Sequence, residues 1–456
     1  MTEPFVALVL AAGGGKRFKS GKPKVLHSIL GKPMVGLVVE SVQKLKPDQI
    51  YIVVGPAGEG VRAALAGHDV HFVNQKDGQG TGQAVFSAKN ALLRHRNDDV
   101  LIVPGDMPLL RPGTLKGLIG LHRRHGVSVT ALCPNPSSPG RVIIGDGEGF
   151  YEVRGRKQAP LENFGFDPAL SDVLVFNIKA LLRILAEFVP GKGNAEYELA
   201  DIVERMRLGK YKMAFSEDPR VIETLDVNTR RDLALAIMVL RQRKTQSLLD
   251  RGVTVVDPAS AWVDLDVAVG PETVIYPSVV IEGKMTIGKG CSIYPHVHIM
   301  NSRIGNDVSV YSSSVLDGVT VEDGVRIGPF SRLRPETLLK AGSRVGNFVE
   351  MKKTVFGRDS KALHLSYLGD TTVEEDVNVG AGTITCNYDG RRKRRTYIGR
   401  GAFIGSGTEL IAPVKVGRRS YVAAGSTITE DVSDEALAIA RARQVEKPHW
   451  ARRRRK

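Results

Sequence analysis

Leu10-Ala-Ala-Gly-Gly-Gly-Lys-Arg17, followed by Pro23-Lys24, sets a flexible backbone and two cations directly after an apolar run. Glycines let amide groups approach phosphate oxygens, and Arg17 and Lys24 can stabilise charge developing on a transferred phosphoryl group. The spacing lacks the full Walker pattern and is not a dinucleotide fingerprint. A second polar point, Asp106 in Pro104-Gly105-Asp106-Met107-Pro108, follows another apolar run. Alone, Asp106 reads equally as a turn residue and as a metal ligand. Its place after a buried strand, beside the glycine loop, strengthens the metal reading.

These residues need a scaffold that presents them on one edge. Apolar runs at 5–10, 50–54, 70–73 and 100–103 alternate with helical patterns up to about residue 230. The alternation predicts an α/β, Rossmann-like domain, a parallel sheet with helices on both faces. Ligands in such sheets sit beyond the carboxyl ends of the strands, where Gly13 to Gly15 and Gly105-Asp106 fall. Residues 232–249 carry apolar positions at helical spacing before Gly252, which predicts a helical linker over 231–251.

After the linker the periodicity changes. Val263, Val269, Ile275, Ile281, Ile287, Ile293 and Ile299 stand six apart; the series resumes at Ile304, Val310, Val315, Val321, Ile327, Leu333, Leu339 and Val345, and again from Ile398 to Ile428. One inward aliphatic residue in six predicts short strands and tight corners stacked as a parallel β-helix over 252–456. The pattern lapses between Val355 and Val373 and between Ile384 and Ile398. Both lapses are expected to be loops, the first holding His364, and loops on a rigid stack are natural places for function.

The 456 residues exceed what one core usually serves. With 42% apolar and 25% charged residues the chain reads as soluble and globular. The apolar run at 5–12 has no basic lead-in, no stretch approaches the ~20 residues that span a bilayer, and Cys133, Cys291 and Cys386 form no paired spacing. A reduced, cytoplasmic protein is expected. The net charge of +15 suits phosphate-rich ligands, nucleic acid or an anionic surface without choosing among them. Basic runs at 391–395 and 452–456 contribute; the terminal run reads first as a solvated tail, and no aromatic platform or reader motif predicts a specific nucleic-acid partner.

The Leu-x-x-Gly-x-Gly-x-Arg segment with Lys24 seven residues on resembles the signature of sugar-1-phosphate nucleotidyltransferases. The resemblance implies nucleotide and sugar-phosphate contacts at Leu10, Ala11, Ala12, Gly13, Arg17 and Lys24, uridine reading at Gln75, Gly80 and Thr81, further contacts at Pro104, Gly105 and Gly140, and magnesium ligands at Asp106 and Asn228. The chain departs from that family in its middle: the Glu-x-Lys element is Gly155-Arg156-Lys157, and the Asn-Thr-Gly element aligns with Leu170-Ser171-Asp172. Glu152 lies out of register.

The strings 345–353 and 380–390 closely resemble the bifunctional N-acetylglucosamine-1-phosphate uridylyltransferase/glucosamine-1-phosphate N-acetyltransferase family, and the likeness covers nearly the whole chain. It implies a left-handed β-helix, a homotrimer and acetyl-CoA sites between subunits. His364 would be the general base, since an amine attacks a thioester only with a free lone pair. Arg334, Lys352, Tyr367 and Asn378 would hold the sugar phosphate, and Glu350 would orient the amine or His364. Ala381, Asn387, Tyr388, Ser406, Ala424 and Arg441 would contact acetyl-CoA, and Lys447 would reach a neighbouring subunit's cofactor. Viewed singly, Ala381, Ser406 and Ala424 read equally as corner packing.

The favoured expectation is an enzyme that acetylates glucosamine 1-phosphate and couples the product to UTP. Two others stand beside it: an acetyltransferase with a degenerate or differently selective nucleotidyltransferase domain, and a non-enzymatic scaffold. Retention of Lys24, Asp106, Asn228 and His364 argues against the scaffold.

Overall fold

The computed structural model describes residues 4–56, 58–75, 80–134, 142–145, 150–154, 157–160, 171–187, 197–218 and 221–454. The chain forms two compact units, Met1–Leu240 and Arg241–Lys456, whose boundary falls inside the helix Arg230–Leu249.

In the first unit the strand Phe5–Ala11 pairs in parallel with Gln49–Val54 and Asp99–Pro104, and His71–Asn74 extends the sheet. Alternate residues of this strand feed different cores: Val6, Leu8 and Leu10 enter one, while Phe5, Ala7, Val9 and Ala11 enter the other. A strand between two helical layers must be apolar on both faces, hence its unbroken hydrophobic run. Ile178–Ala186 and Leu199–Leu208 contribute to the first core, Met34–Gln43 and Pro112–His125 to the second.

The sheet is mixed, where the sequence predicts a parallel one. Leu174–Asn177 runs antiparallel between Asp99–Pro104 and Val129–Pro134, and Val142–Gly145, Phe150–Arg154 and Lys157–Pro160 extend the far edge as antiparallel strands. Apolar periodicity marks a strand without marking its direction. The reversal matters for chemistry: a reversed strand presents its amino end where its neighbours present carboxyl ends. Ser171 and Asp172 therefore stand on the ligand edge.

The second unit is a three-sided β-helix with sheets of eleven, ten and nine strands. Each strand pairs in parallel with the strand one coil later, as Val280–Glu282 does with His298–Met300. Ile275, Ile293, Val310, Ile327 and Val345 stack as one buried column, and the other two sheets supply equivalent columns.

Three details correct the sequence reading. Leu316, at 0% exposure, takes the inward place expected for Val315, so the five-residue step falls between Leu316 and Val321. The lapse between Val355 and Val373 is no loop: Phe356, Ala362 and Leu368 are fully buried and continue the columns. His364 accordingly ends a regular strand, Lys361–His364, in register with Asn347 one coil earlier. The coil was hidden because Ala362 and Phe356 occupy places that elsewhere carry Ile, Val or Leu, and because two five-residue steps shift the frame. The second lapse is a true insertion. Thr385 turns inward, and the chain then leaves the stack until Thr396–Ile398 rejoins it.

Candidate active sites

The first unit holds a cavity of about 590 Å³ at the carboxyl edge of its sheet. Leu10, Ala12, Gly13, Arg17, Lys24, Gln75, Gly80, Thr81, Pro104, Asp106 and Asn228 line it. Ala11 is buried behind the wall, and the Gly105 amide donates to the Leu10 carbonyl at 2.8 Å, so these two shape the cavity from outside it. Gly140, Arg141, Gly155, Arg156 and Leu170 lie outside the described residues.

Local sequence sets each group. Gly15 has φ +62°, and a Cβ there would stand 3.1 Å from the Lys24 Cβ, so the loop folds closely over the lysine. Lys24 opens a short 3₁₀ turn after Pro23; its Nζ donates to Asn228 Oδ1 at 2.7 Å and pairs with the Asp106 carboxylate. The Val227 amide donates to the Asp106 carbonyl at 3.0 Å, and Asp232 Oδ2 accepts from the amides of Asn228 and Thr229 at 3.0 and 2.7 Å. That cap begins the helix Arg230–Leu249 and fixes Asn228 beside Asp106.

Three wall carboxylates have no assigned role in the sequence reading. Glu198 Oε2 accepts from the Thr81 amide and hydroxyl at 3.0 and 2.6 Å. Asp172 is pushed up to about 6 by burial, then by Glu198 and Asp106. Asp226 is pushed up to about 7 by burial, then by Asp106 and Asp172, against the opposing pull of Lys24 and Arg17. Asp226 was detectable as the neighbour of Asn228 but one. Asp172 and Glu198 reach the cavity only through the reversed strand and the packing of Leu199–Leu208.

No cluster of three or more Asp, Glu, His or Cys arranged to hold a metal ion occurs among the described residues. Asp106 and Asn228 are nevertheless two neighbouring oxygen donors in a wall where, among the described residues, carboxylates outnumber cations. Together with phosphate oxygens they fit a hard divalent cation.

On the second unit the expected residues divide between two sheets. Arg334 follows the strand Arg332–Leu333; Lys352 and Tyr367 lie on the next strands of that ten-stranded sheet. Arg334 Nη1 donates to Glu350 Oε1 at 3.0 Å, so Glu350's partner here is the arginine. The Lys393 ammonium beside Lys352, with burial and Arg334, lowers the pKa of Lys352. Two lysines and an arginine drawn together form a ready anion site. A Cβ on Gly369 would fall 2.5 Å from the Tyr367 hydroxyl and 2.7 Å from Asn387 Nδ2, so both side chains converge over that glycine. Asn387 Nδ2 also donates to Asp370 Oδ2 at 2.6 Å, which ties the insertion down.

His364 and Asn378 lie on the eleven-stranded sheet. His364 is exposed, and its Nδ1 stands 3.1 Å from Asn347 Oδ1. With the amide oxygen as acceptor, the ring proton sits on Nδ1 and the Nε2 lone pair is free. Asn347 was missed in the sequence; its signal is a distance of one coil from His364.

Ala381, Ser406 and Ala424 occupy one corner on successive coils. The Gly407 amide donates to the Ala381 carbonyl at 2.7 Å, Gly425 to Ser406 at 2.8 Å, and Arg441 Nη1 to Ala424 at 2.9 Å. Tyr388 is 60% exposed in the insertion after Ile384–Cys386, and Lys447 is exposed in the terminal segment.

Residues 7–158 match the MobA-like NTP transferase domain, and residues 395–430 match the bacterial transferase hexapeptide family of six repeats. A protein of Thermotoga maritima named bifunctional protein GlmU is 44% identical over 99% of this chain and 99% of its own. A protein of the same name from Koribacter versatilis is 40% identical over 99% of this chain and 97% of its own. Among solved structures, a UDP-glucose pyrophosphorylase complexed with UDP-glucose matches 53% of this chain and 99% of its own, at 19% identity and TM-score 0.39.

Proposed function

The chain belongs to the bifunctional GlmU family, and from that premise we propose how its residues divide two transfers between two sites. It is an acetyltransferase and uridylyltransferase of UDP-N-acetylglucosamine synthesis, which serves cell-wall construction, and its β-helix is left-handed. The pairing that carries the assignment of roles is a glycine-lined cavity with Arg17 and Lys24 in one unit and an exposed histidine, its Nδ1 against Asn347 Oδ1, in the other.

In acetyl transfer, the amine nitrogen of glucosamine 1-phosphate attacks the thioester carbonyl. His364 Nε2 takes the proton that the nitrogen sheds, the C–S bond breaks, and the coenzyme A thiolate leaves to be protonated. Asn347 holds the ring as the Nε2 base. Arg334, Lys352 and Lys393 bind the sugar phosphate, with Tyr367 and Asn378 on the ring. Ala381, Asn387, Tyr388, Ser406, Ala424, Arg441 and Lys447 receive acetyl-CoA, the small residues letting its chain lie against the corner.

In uridylyl transfer, a phosphate oxygen of N-acetylglucosamine 1-phosphate attacks the α-phosphorus of UTP, and the bond to the β-phosphate breaks to release pyrophosphate. Gly13 to Gly15 supply amides to the phosphates, Arg17 and Lys24 draw off developing charge, and Gln75, Gly80 and Thr81 hold the uridine end. Asp106 and Asn228 would hold Mg2+, which supplies charge neutralisation between the phosphates.

The acetyl site is completed by other copies of the chain. Phe330, Phe348 and Leu365 are 52%, 55% and 61% exposed on the corner beside His364, and the two phenylalanines stack at 5.4 Å. All three have positive φ, at 55°, 57° and 47°. Bulky apolar residues exposed together at one corner carry a cost that a covering subunit would remove. Sugar contacts split between two faces, with Asn378 on one sheet and Lys352 on another, also fit a site closed between subunits, hence a homotrimer. We place the enzyme in the cytoplasm; among the described residues no helix is long and apolar enough to cross a membrane.

The test is a two-substrate assay that follows thiol release and pyrophosphate release independently. Thiol release dependent on glucosamine 1-phosphate and pyrophosphate release dependent on UTP, each abolished by variants of its own site only, is the expected result.

A further inference from the structure

Among the described residues, the wall of the uridylyl cavity carries more carboxylates than cations, and the two transfers do not use all of them. We propose that Asp172 is a specificity-determining residue of the uridylyl site, and that it lets this half accept the unacetylated amino sugar 1-phosphate alongside the acetylated one. The inference rests on the uridylyl reading of that cavity and adds to it the class of sugar substituent.

Among the described residues four carboxylates line the cavity, Asp106, Asp172, Glu198 and Asp226, against the cations Arg17 and Lys24. Two of the four are occupied. Asp106 pairs with Lys24, and Glu198 accepts from the Thr81 amide and hydroxyl. Asp226 adjoins the phosphate end, two residues from Asn228. Asp172 is different: among the described residues it makes neither a hydrogen bond nor an ion pair, yet it is half-buried on the wall.

Its segment offers the ligand little else. Ser171 is buried, and its hydroxyl is spent on the Leu132 carbonyl at 2.5 Å. In the aligned Asn-Thr-Gly element of the related nucleotidyltransferases the amide falls at Leu170 and the glycine at Asp172, so an apolar side chain replaces the amide and a carboxylate is gained two residues on. An amide both donates and accepts, which suits an acetamido group with one N–H and one carbonyl. An ionised carboxylate only accepts. It is matched by a substituent that only donates, and an ammonium group does so with charge-assisted bonds while neutralising the excess negative wall. The antiparallel Leu174–Asn177 strand is what brings Asp172 to this edge.

The experiment supplies the full-length protein with UTP and a magnesium salt, without acetyl-CoA, and measures pyrophosphate release and UDP-sugar formation. The sugar is glucosamine 1-phosphate, N-acetylglucosamine 1-phosphate or glucose 1-phosphate. We expect UDP-glucosamine to form at a rate within tenfold of UDP-N-acetylglucosamine. Asp172→Asn and Asp172→Ser should each lower the glucosamine/N-acetylglucosamine ratio of kcat/KM at least tenfold. Turnover of N-acetylglucosamine 1-phosphate without turnover of the amino sugar overturns this inference and leaves the uridylyl reading intact. An unchanged ratio in both variants also overturns it, as does a change confined to the magnesium dependence, which would make Asp172 a metal ligand. Failure of every sugar to release pyrophosphate would sink the uridylyl reading itself.

Discussion

The two active regions solve opposite problems. The amino-terminal site is concave: strand ends, a glycine loop and a capped helix enclose about 590 Å³ within one chain. The carboxyl-terminal residues lie on the outside of a solenoid, with His364 exposed and its expected partners divided between two sheets. A doubly wound sheet makes a crevice wherever its connections diverge, whereas His364 and its expected partners lie on the outer faces of a stack of coils. In the proposed trimer a second wall comes from another copy of the chain, and the exposed Phe330 and Phe348 mark where it would rest.

The comparison can be broken first at the chemistry. His364→Ala should lower acetyl transfer by about 10²- to 10⁴-fold, the usual loss for a general base, while uridylyl transfer stays within twofold. Thiol and pyrophosphate assays on the same preparation check this; loss of both activities in a folded, trimeric protein would refute the separation. Asp106→Ala should do the reverse, with a drop of about 10²- to 10³-fold in pyrophosphate release.

Assembly comes next. Phe330→Ser combined with Phe348→Ser should shift the protein toward monomer in sedimentation and cut acetyl transfer at least tenfold. Uridylyl transfer should persist, because its cavity lies within one chain. An unaltered trimer with full acetyl transfer would mean that this corner is not the covered face. Asn347→Ala should cost about tenfold in acetyl transfer and leave uridylyl transfer unchanged, as the imidazole loses the partner that orients it.

The smallest effect concerns stability. Asp226 has a folded pKa of about 7 against an ordinary value of 3.8, so the folded state holds its proton more tightly than the unfolded chain. Protonation thus favours folding, and stability contributed in acid is lost as pH rises from about 4 through 7, then stays level. Asp226→Asn should remove that loss and raise the melting temperature at pH 8 without divalent metal, by the equivalent of about 1–3 kcal/mol. Equal melting temperatures for the two proteins at pH 8 would contradict the assigned strain.

Legibility followed the same division. The six-residue period exposed the β-helix because nearly every inward residue is apolar in a column one side chain wide, Thr385 being an exception. Its failures came where size varied without polarity: Ala362 and Phe356 kept the column but broke the Ile, Val and Leu pattern, and His364 was assigned to a loop as a result. In the first unit, the glycine loop, Lys24, Asp106 and Asn228 were readable because each sits in a short string next to a strand or cap. Asp172 and Glu198 were not readable, since their place depends on a strand's direction and a helix's packing.

By itself the sequence determined the two-domain architecture, the coil period and the residue types for two transfers, because periodicity and local strings are properties of neighbours along the chain. Tertiary structure decided that His364 ends a strand opposite Asn347, that the insertion after Thr385 is tied to Asp370, and that Asp172 faces the phosphate cavity. Those facts join residues one coil or one crossover apart. Stacking register and strand direction, which no local pattern encodes, bring them together.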